Sequence, residues 1–280
     1  MRAILKILKH LYLIAIGVII IFPVLYVILC SFKSNSEILA YPANIIPKSF
    51  TFENYVQAWT SDNFNLGPML FNSVYYTLAM VVTSLTLSAL GGYVFARGRF
   101  RGKDFWYKLF TILMFVQLGS ITMYPSFQVL EFLGIPRSLP GLIFRNLFGL
   151  PAANCWLVAS YIRGIPFAVD EAAKIDGCTF AQIFFKIIIY QITPILITIG
   201  MSAFNSSWNA YLDPLIWTMT HPEQRPLIVG VMALKSSGEA ATSWNLMLAG
   251  STVALLPVLV IYIIGNKYIV KGLSAGAVKG

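Results

Sequence analysis

The stretch "FAVDEAAKIDGCTFAQIFFKII", residues 167–188, sets Asp170, Glu171, Lys174, Asp176 and Gly177 between two intensely apolar runs. Gly164 ends the run before it, and Pro166 suits the first turn of a new helix. A short helix is expected over 167–176, closed by Gly177 in a left-handed cap. Thr179 with Gln182 three residues on makes a capping box, which opens the next helix. The stretch therefore specifies a short helix, a sharp turn and the start of a further long apolar segment. Ala172, Ala173 and Gly177 leave the short helix shallow, with Glu171 and Lys174 charged at its edge. On spacing alone two readings stand open: a docking peg for a separate protein, or a connecting helix with a solvated face.

The surroundings of this element are overwhelmingly apolar. Of 280 residues, 58% are hydrophobic and 11% charged, and the mean hydropathy is +0.74. Soluble domains spend about a quarter of their residues on charge, so the solvent of this chain is largely lipid. Hydropathy favours a single all-α membrane domain over residues 1–280. The net charge of +9 does not point to nucleic acid, because the basic residues flank apolar runs and no basic patch interleaves with stacking aromatics. Cys30, Cys155 and Cys178 stand apart from one another, so they read as small hydrophobes. The basic N-terminus and the apolar run to Cys30 lack a small-residue cleavage site, and this segment reads as a retained first span.

Six segments are long enough to cross a bilayer of about 30 Å: 11–32, 71–96, 106–130, 141–163, 185–210 and 246–266. With both termini in the cytoplasm, 14 of the 20 Lys and Arg residues fall inside, as the positive-inside rule requires. The opening stretch, as a loop of about 164–186, then faces the cytoplasm. Segments of about 33–70 and 217–245 become ordered outer loops, too apolar for free linkers.

Two other classes lose their support here. An ion-coupled carrier usually buries an acid at mid-membrane; Glu131 and Asp213 approach only the outer ends of spans. For a membrane enzyme, His10 and His221 lie on opposite sides and cannot assemble a metal pair or dyad. No phosphate-binding loop is present, since "GRFRGKD" has the wrong spacing and no hydroxyl residue. Candidates for a polar, aromatic substrate pathway are Tyr75, Tyr76, Gln117, Asn205 and Trp208.

The opening stretch resembles the EAA motif of the membrane subunits of bacterial ABC importers. Glu171-Ala172-Ala173, Gly177 and Ile187 follow its spacing, with Ile189-Tyr190 where Leu-Pro is usual. Pro194, four residues on, also resembles a family position and is expected to bend the helix in place of the missing proline. "FPVLYVILCSFKSNSEI", "YVFARGRFRGK" and "SWNAYLDPLIW" resemble segments of the carbohydrate-importer branch in the same order. The final "KGLSAGAVKG" is very similar to the tail of maltose-importer permeases. Where relatives often carry an acid after Trp-Asn, Ala210 stands here, and the acid is Asp213.

The resemblance implies the six-span architecture of type I (MetI-like) importer permeases in a bacterial inner or plasma membrane. It implies a second permease subunit, two ATPase subunits and an extracytoplasmic sugar-binding protein. This chain would bind no cofactor, with ATP and Mg on the ATPases. Glu171, Ala172, Ala173, Lys174, Asp176 and Gly177 would form the ATPase-coupling helix, and the tail would insert toward the ATPase interface. The substrate would be a sugar or oligosaccharide; an ABC permease for another solute is the alternative.

Overall fold

The computed structural model describes residues 2–42, 44–61, 64–115, 119–236 and 243–277; the side chains of 2–5, 120, 236 and 266–277 lie outside the description. All regular structure among the described residues is helical. The chain forms two compact units, one of residues 1–71 and 226–257, the other of 72–225 and 258–280.

In the first unit, α1 (Arg2–Cys30) is 29 residues long, about 43 Å at 1.5 Å per residue. Its side chains find little cover within the chain: Ile19 is 71% exposed. After it come α2 (Asn35–Ile38) and α3 (Glu53–Thr60). The buried amide of Asn54 ties this region together, donating to the carbonyls of Ser31 (2.7 Å) and Lys33 (2.8 Å). Its Oδ1 accepts from Asn245 Nδ2 at 3.0 Å. Phe64, Leu66, Leu227, Val231, Leu234 and Ala254 form the apolar core of this unit.

In the second unit, the long helix α4 (Leu66–Arg97, entering from the first unit) leads to α5 (Lys103–Leu113), α6 (Met123–Phe132), α7 (Leu139–Leu147) and α8 (Ala152–Arg163). Then follow α9 (Ala168–Ile175), α10 (Phe180–Gln191) and α11 (Thr193–Trp208). The last helices are α12 (Leu212–Trp217), α13 (Leu227–Ser236) and α14 (Trp244–Ala277), with α13 and the start of α14 in the first unit. Tyr93, Val158, Ile162, Ala173, Ile183, Phe184, Ile188 and Ile192 share one buried cluster. Gly92 lets α4 and α8 touch: a Cβ there would lie 2.5 Å from Val158 Cγ1 and 3.1 Å from the Ala159 amide nitrogen.

Among the described residues three helices are long and apolar enough to cross a membrane alone: Lys6–Cys30, Leu66–Arg97 and Trp244–Gly265. Two bent pairs reach the same length and apolarity only when each is taken together, α7 with α8 at 43° and α10 with α11 at 77°. The expected spans 141–163 and 185–210 are therefore broken, not straight. Pro151 cannot donate a backbone hydrogen bond and starts α8 afresh. Pro194 sits in the first turn of α11 and cannot donate to the Tyr190 carbonyl four residues back. Tyr190 thus removes the usual proline without removing the bend. The expected span 106–130 is divided between α5, a 3₁₀ turn over Gly119–Thr122 and α6, with Gly119 at a φ of +53°. At the other end, the backbone of the tail stays helical to Ala277.

Replacing Gly92 with Ala should wedge α4 from α8 and destabilise the protein by about 1–3 kcal/mol. Gly17→Ala, with nothing within 4 Å of the new methyl, should leave the melting temperature in detergent unchanged or slightly raised. Equal melting temperatures for Gly92→Ala and the parent would show that the two helices do not meet there.

Candidate functional site

The segment between α8 and α10 is built by local hydrogen bonds. After α8, the Gly164 amide donates to the Tyr161 carbonyl (3.0 Å) and Ile165 to Ile162 (3.0 Å). Pro166 lies just before α9, two residues earlier than the first turn expected for it; its carbonyl accepts from Val169 at 3.2 Å. At the far end Cys178 donates to Ala173 (2.9 Å) and Gly177 to Lys174 (3.0 Å). These are the two bonds of a Schellman cap, and Gly177 has the required φ of +80°. The Thr179 Oγ1 accepts from the Gln182 amide at 3.3 Å, and Gln182 Oε1 accepts from the Thr179 amide at 2.8 Å. The capping box is complete.

These bonds fix which side of α9 faces out. Glu171, Ala172, Lys174, Ile175, Asp176 and Gly177 are exposed, Ile175 at 87%. Ala173 is 4% exposed and packs in the chain's own core. Five of the six residues expected to couple to an ATPase thus share the open surface, while Ala173 packs on this chain. Its helical neighbour three residues back, Asp170, is 3% exposed and was missed in the sequence.

Asp170 faces the last residue of α4. Arg97 Nε lies 2.9 Å from Asp170 Oδ2, with side chains 7% and 4% exposed. The approach lacks the alignment of a hydrogen bond, so charge holds this pair. Arg97 Nη2 donates to the Ile165 carbonyl at 2.7 Å, and the guanidinium lies 5.0 Å from the Phe167 ring centre. Lys174 Nζ covers the same ring at 5.6 Å. One turn back on α4, the Tyr93 hydroxyl donates to the Phe180 carbonyl at 3.1 Å, and its ring packs on Phe180 and Phe184. Nearby, Lys103 donates to the Gly98 carbonyl at 2.8 Å. Its ammonium is pushed below the usual lysine range by burial, then by Arg163 and Arg99, with Asp104 opposing. Asp170 lies at i−3 from Ala173 and so on the same inward face of α9, a placement that the packing of Ala173 reveals and the spacing alone does not.

The pathway candidates do not gather into one pocket. Tyr76 is buried beside Trp217, Leu139 and Leu142, and Tyr75 is 44% exposed. Trp208 is buried and stacks on Phe204 with 5.6 Å between ring centres. Asn205 lines a cavity with Thr198, Met201, Ser202, Phe204 and Tyr262, whose wall includes none of the others. Gln117 lies outside the described residues. The cavity at Asn205 is mostly apolar; another, more polar one holds Thr122, Tyr211 and the ion pair of Arg145 with Asp213 at 3.0 Å. Asp213 was noted in the sequence, but its basic partner was not. Among the described residues there is no group of three His, Cys, Asp or Glu able to hold a metal.

No family model matches the chain. It is 31% identical over 275 residues to the diacetylchitobiose uptake system permease protein NgcG of Streptomyces coelicolor, covering 96% of this chain and 87% of that one. The inner membrane ABC transporter permease protein YcjP of Escherichia coli is 30% identical over 264 residues, 94% and 92% of the two chains. The trehalose/maltose transport system permease protein MalG of Thermococcus litoralis is 27% identical over 274 residues, 95% and 94%. The fold matches a chain in the crystal structure of a bacterial ABC transporter for the acidic polysaccharide alginate. The TM-score there is 0.79 at 24% identity, covering 95% of this chain and 96% of that one.

The Schellman cap makes a specific demand at Gly177, where an added Cβ would meet nothing within 4 Å. The cost of a side chain is therefore conformational alone. Gly177→Val should loosen the turn by about 1–2 kcal/mol and speed amide exchange over 168–183 roughly fivefold to thirtyfold. Gly177→Asn, which visits the left-handed region more readily, should exchange close to the parent rate. The same rate for Val as for Asn would exclude the cap.

Proposed function

This chain belongs to the permease subunits of sugar ABC transporters, and we propose that it forms half of a translocation pathway for a sugar or oligosaccharide, driven by ATPases on other chains. It is a multi-pass membrane protein and a transport subunit, not an enzyme. In this reading the chain crosses the membrane six times, with α5 and α6 contributing the third crossing and both termini in the cytoplasm. The positive-inside distribution of Lys and Arg supports that orientation.

The observation that carries the proposal is the exposed surface of α9. Glu171, Ala172, Lys174, Asp176 and Gly177 lie together on a short helix and its cap, between two bent apolar pairs. One of two ATPase subunits would seat there, and the pair would hold ATP and Mg, since this chain has no phosphate-binding loop. A second permease would complete the pathway, and an extracytoplasmic binding protein would deliver sugar to the outer segments. Closure of the ATPases would push on α9 and rock the spans between inward-open and outward-open states. Asn205, on a cavity wall, is the pathway candidate best placed to meet solute; Tyr76 and Trp208 are packed within the chain.

The test begins with the tagged chain purified from its native membrane in mild detergent. Recovery of an ATPase and a second permease in stoichiometric amounts is the expected result. Glu171→Lys should leave the chain inserted yet reduce sugar uptake about tenfold or more, the effect of roughly 1.4 kcal/mol or more at the contact. A chain that purifies alone and transports when reconstituted alone would overturn the proposal.

A further inference from the structure

The coupling surface just described sits on a helix of eight residues, too short to hold its own shape in isolation. Its covalent attachments are two bends, at Ile165–Phe167 before it and at Gly177–Thr179 after it. A push delivered to such an element would be absorbed in its bends unless something else holds it. The last turn of α4 does so at both bends. Arg97 donates to the Ile165 carbonyl at 2.7 Å on the entering arm. Tyr93, at i−4 and so on the same face of α4, donates to the Phe180 carbonyl at 3.1 Å on the leaving arm. Between these two bonds, Asp170 of α9 meets Arg97 at 2.9 Å with both side chains almost fully buried.

From this arrangement we infer that Arg97, with Asp170 as its counter-charge, is a positioning residue that makes α4 carry α9 as one body, so that α4 is the span that receives the ATPase stroke. Three features of Arg97 suit this work. Its guanidinium reaches a carboxylate, a carbonyl and the Phe167 ring together, which a lysine ammonium on a flexible stem cannot reproduce. The pair is shielded from water, so salt screens it little. Asp170 is buried where its neighbour Glu171 is exposed, leaving one carboxylate for the chain's own lever and one for the partner. This inference rests on the reading of α9 as the ATPase contact, but the tether itself can be tested without an ATPase.

The experiment has two readouts, made on Arg97→Gln, Arg97→Lys, Asp170→Asn and Asp170→Glu in the full chain. The first is amide exchange over 168–175 in the purified permease. Arg97→Gln and Asp170→Asn should speed exchange there at least tenfold, and Asp170→Glu, which keeps the charge, should recover part of the protection. The second is sugar imported per ATP hydrolysed by the reconstituted complex, with only assembled complexes counted. That ratio should fall at least fivefold for Arg97→Gln and Asp170→Asn, and the double variant should be no worse than the poorer single. A merely structural role would lower the yield of complex and leave the ratio untouched. Should the neutral variants fail to fold, Arg97→Lys and Asp170→Glu carry the same two readouts, with smaller changes expected. Parental exchange over 168–175 in the variants overturns the tether, and a parental ratio with faster exchange overturns its part in coupling. An unaltered chain that recruits no ATPase instead overturns the functional reading and leaves the exchange result standing.

Discussion

Backbone groups in hydrocarbon have no water to bond, and every interruption of a helix in such a chain has to satisfy its own loose ends. The architecture follows from where the sequence can do that. Pro151, at the N-cap of α8, and Pro194, in the first turn of α11, each open a helix from a position whose missing donor costs nothing. At the end of α9 the freed carbonyls of Ala173 and Lys174 receive the amides of Cys178 and Gly177, and the next helix begins with two reciprocal side-chain bonds. The 77° bend between α10 and α11 is preceded by a wider π-type stretch, Phe184–Ile188, which is where a helix can take up a local mismatch in its ladder. The bends within the apolar runs and the caps around α9 thus meet their loose ends with the chain's own groups.

Charge obeys the same constraint with larger penalties. An isolated buried ion costs several kcal/mol, and removing one partner of a buried pair costs about 3–5 kcal/mol. Arg97 answers with a carboxylate, a carbonyl and a ring, and Arg145 with Asp213 and the Trp217 ring at 5.6 Å. Lys33, 1% exposed, donates to the Asn44 carbonyl and lies 5.4 Å from the Tyr26 ring centre. Arg97 and Lys33 are buried and Arg145 is half-buried, and each holds together segments that are distant in sequence or that would otherwise be a loop. Because each is anchored by more than one group, it constrains orientation as well as distance.

Local features were the legible ones. Gly177, Thr179 and Gln182 announce their cap and box through residue type alone, because the partners lie within five residues. The long apolar helices were legible for the same reason, since hydropathy over about 20 residues needs no knowledge of neighbours. Straightness was not legible in hydropathy, which does not register the direction of a helix axis; within 185–210 it was Pro194 that marked the bend. Asp170 was missed because its meaning depends on Arg97, 73 positions earlier in the numbering, and pairing across such a distance leaves no trace in spacing. The pairing of Arg145 with Asp213 escaped for that reason also. Ala173 shows the limit on surfaces: the sequence marks a small residue as permitting close approach, but which chain approaches is set by the packing of Ile183 and Phe184.

Exposure carries different information on different parts of this molecule. Ile19 on α1 and Ile263 on α14 are 71% and 74% exposed, yet lipid tails are as apolar as another helix, so such faces accept lipid or a second permease with little preference. On α9 the situation is reversed. Ile175 is 87% exposed and stands among the exposed Glu171, Lys174 and Asp176, where lipid does not suit the charges and water does not suit the isoleucine. An apolar centre rimmed by charge is the anatomy of a protein–protein contact. On the proposed topology its partner comes from the cytoplasm, and the side of α9 opposite that contact is the side on which Asp170 is already held.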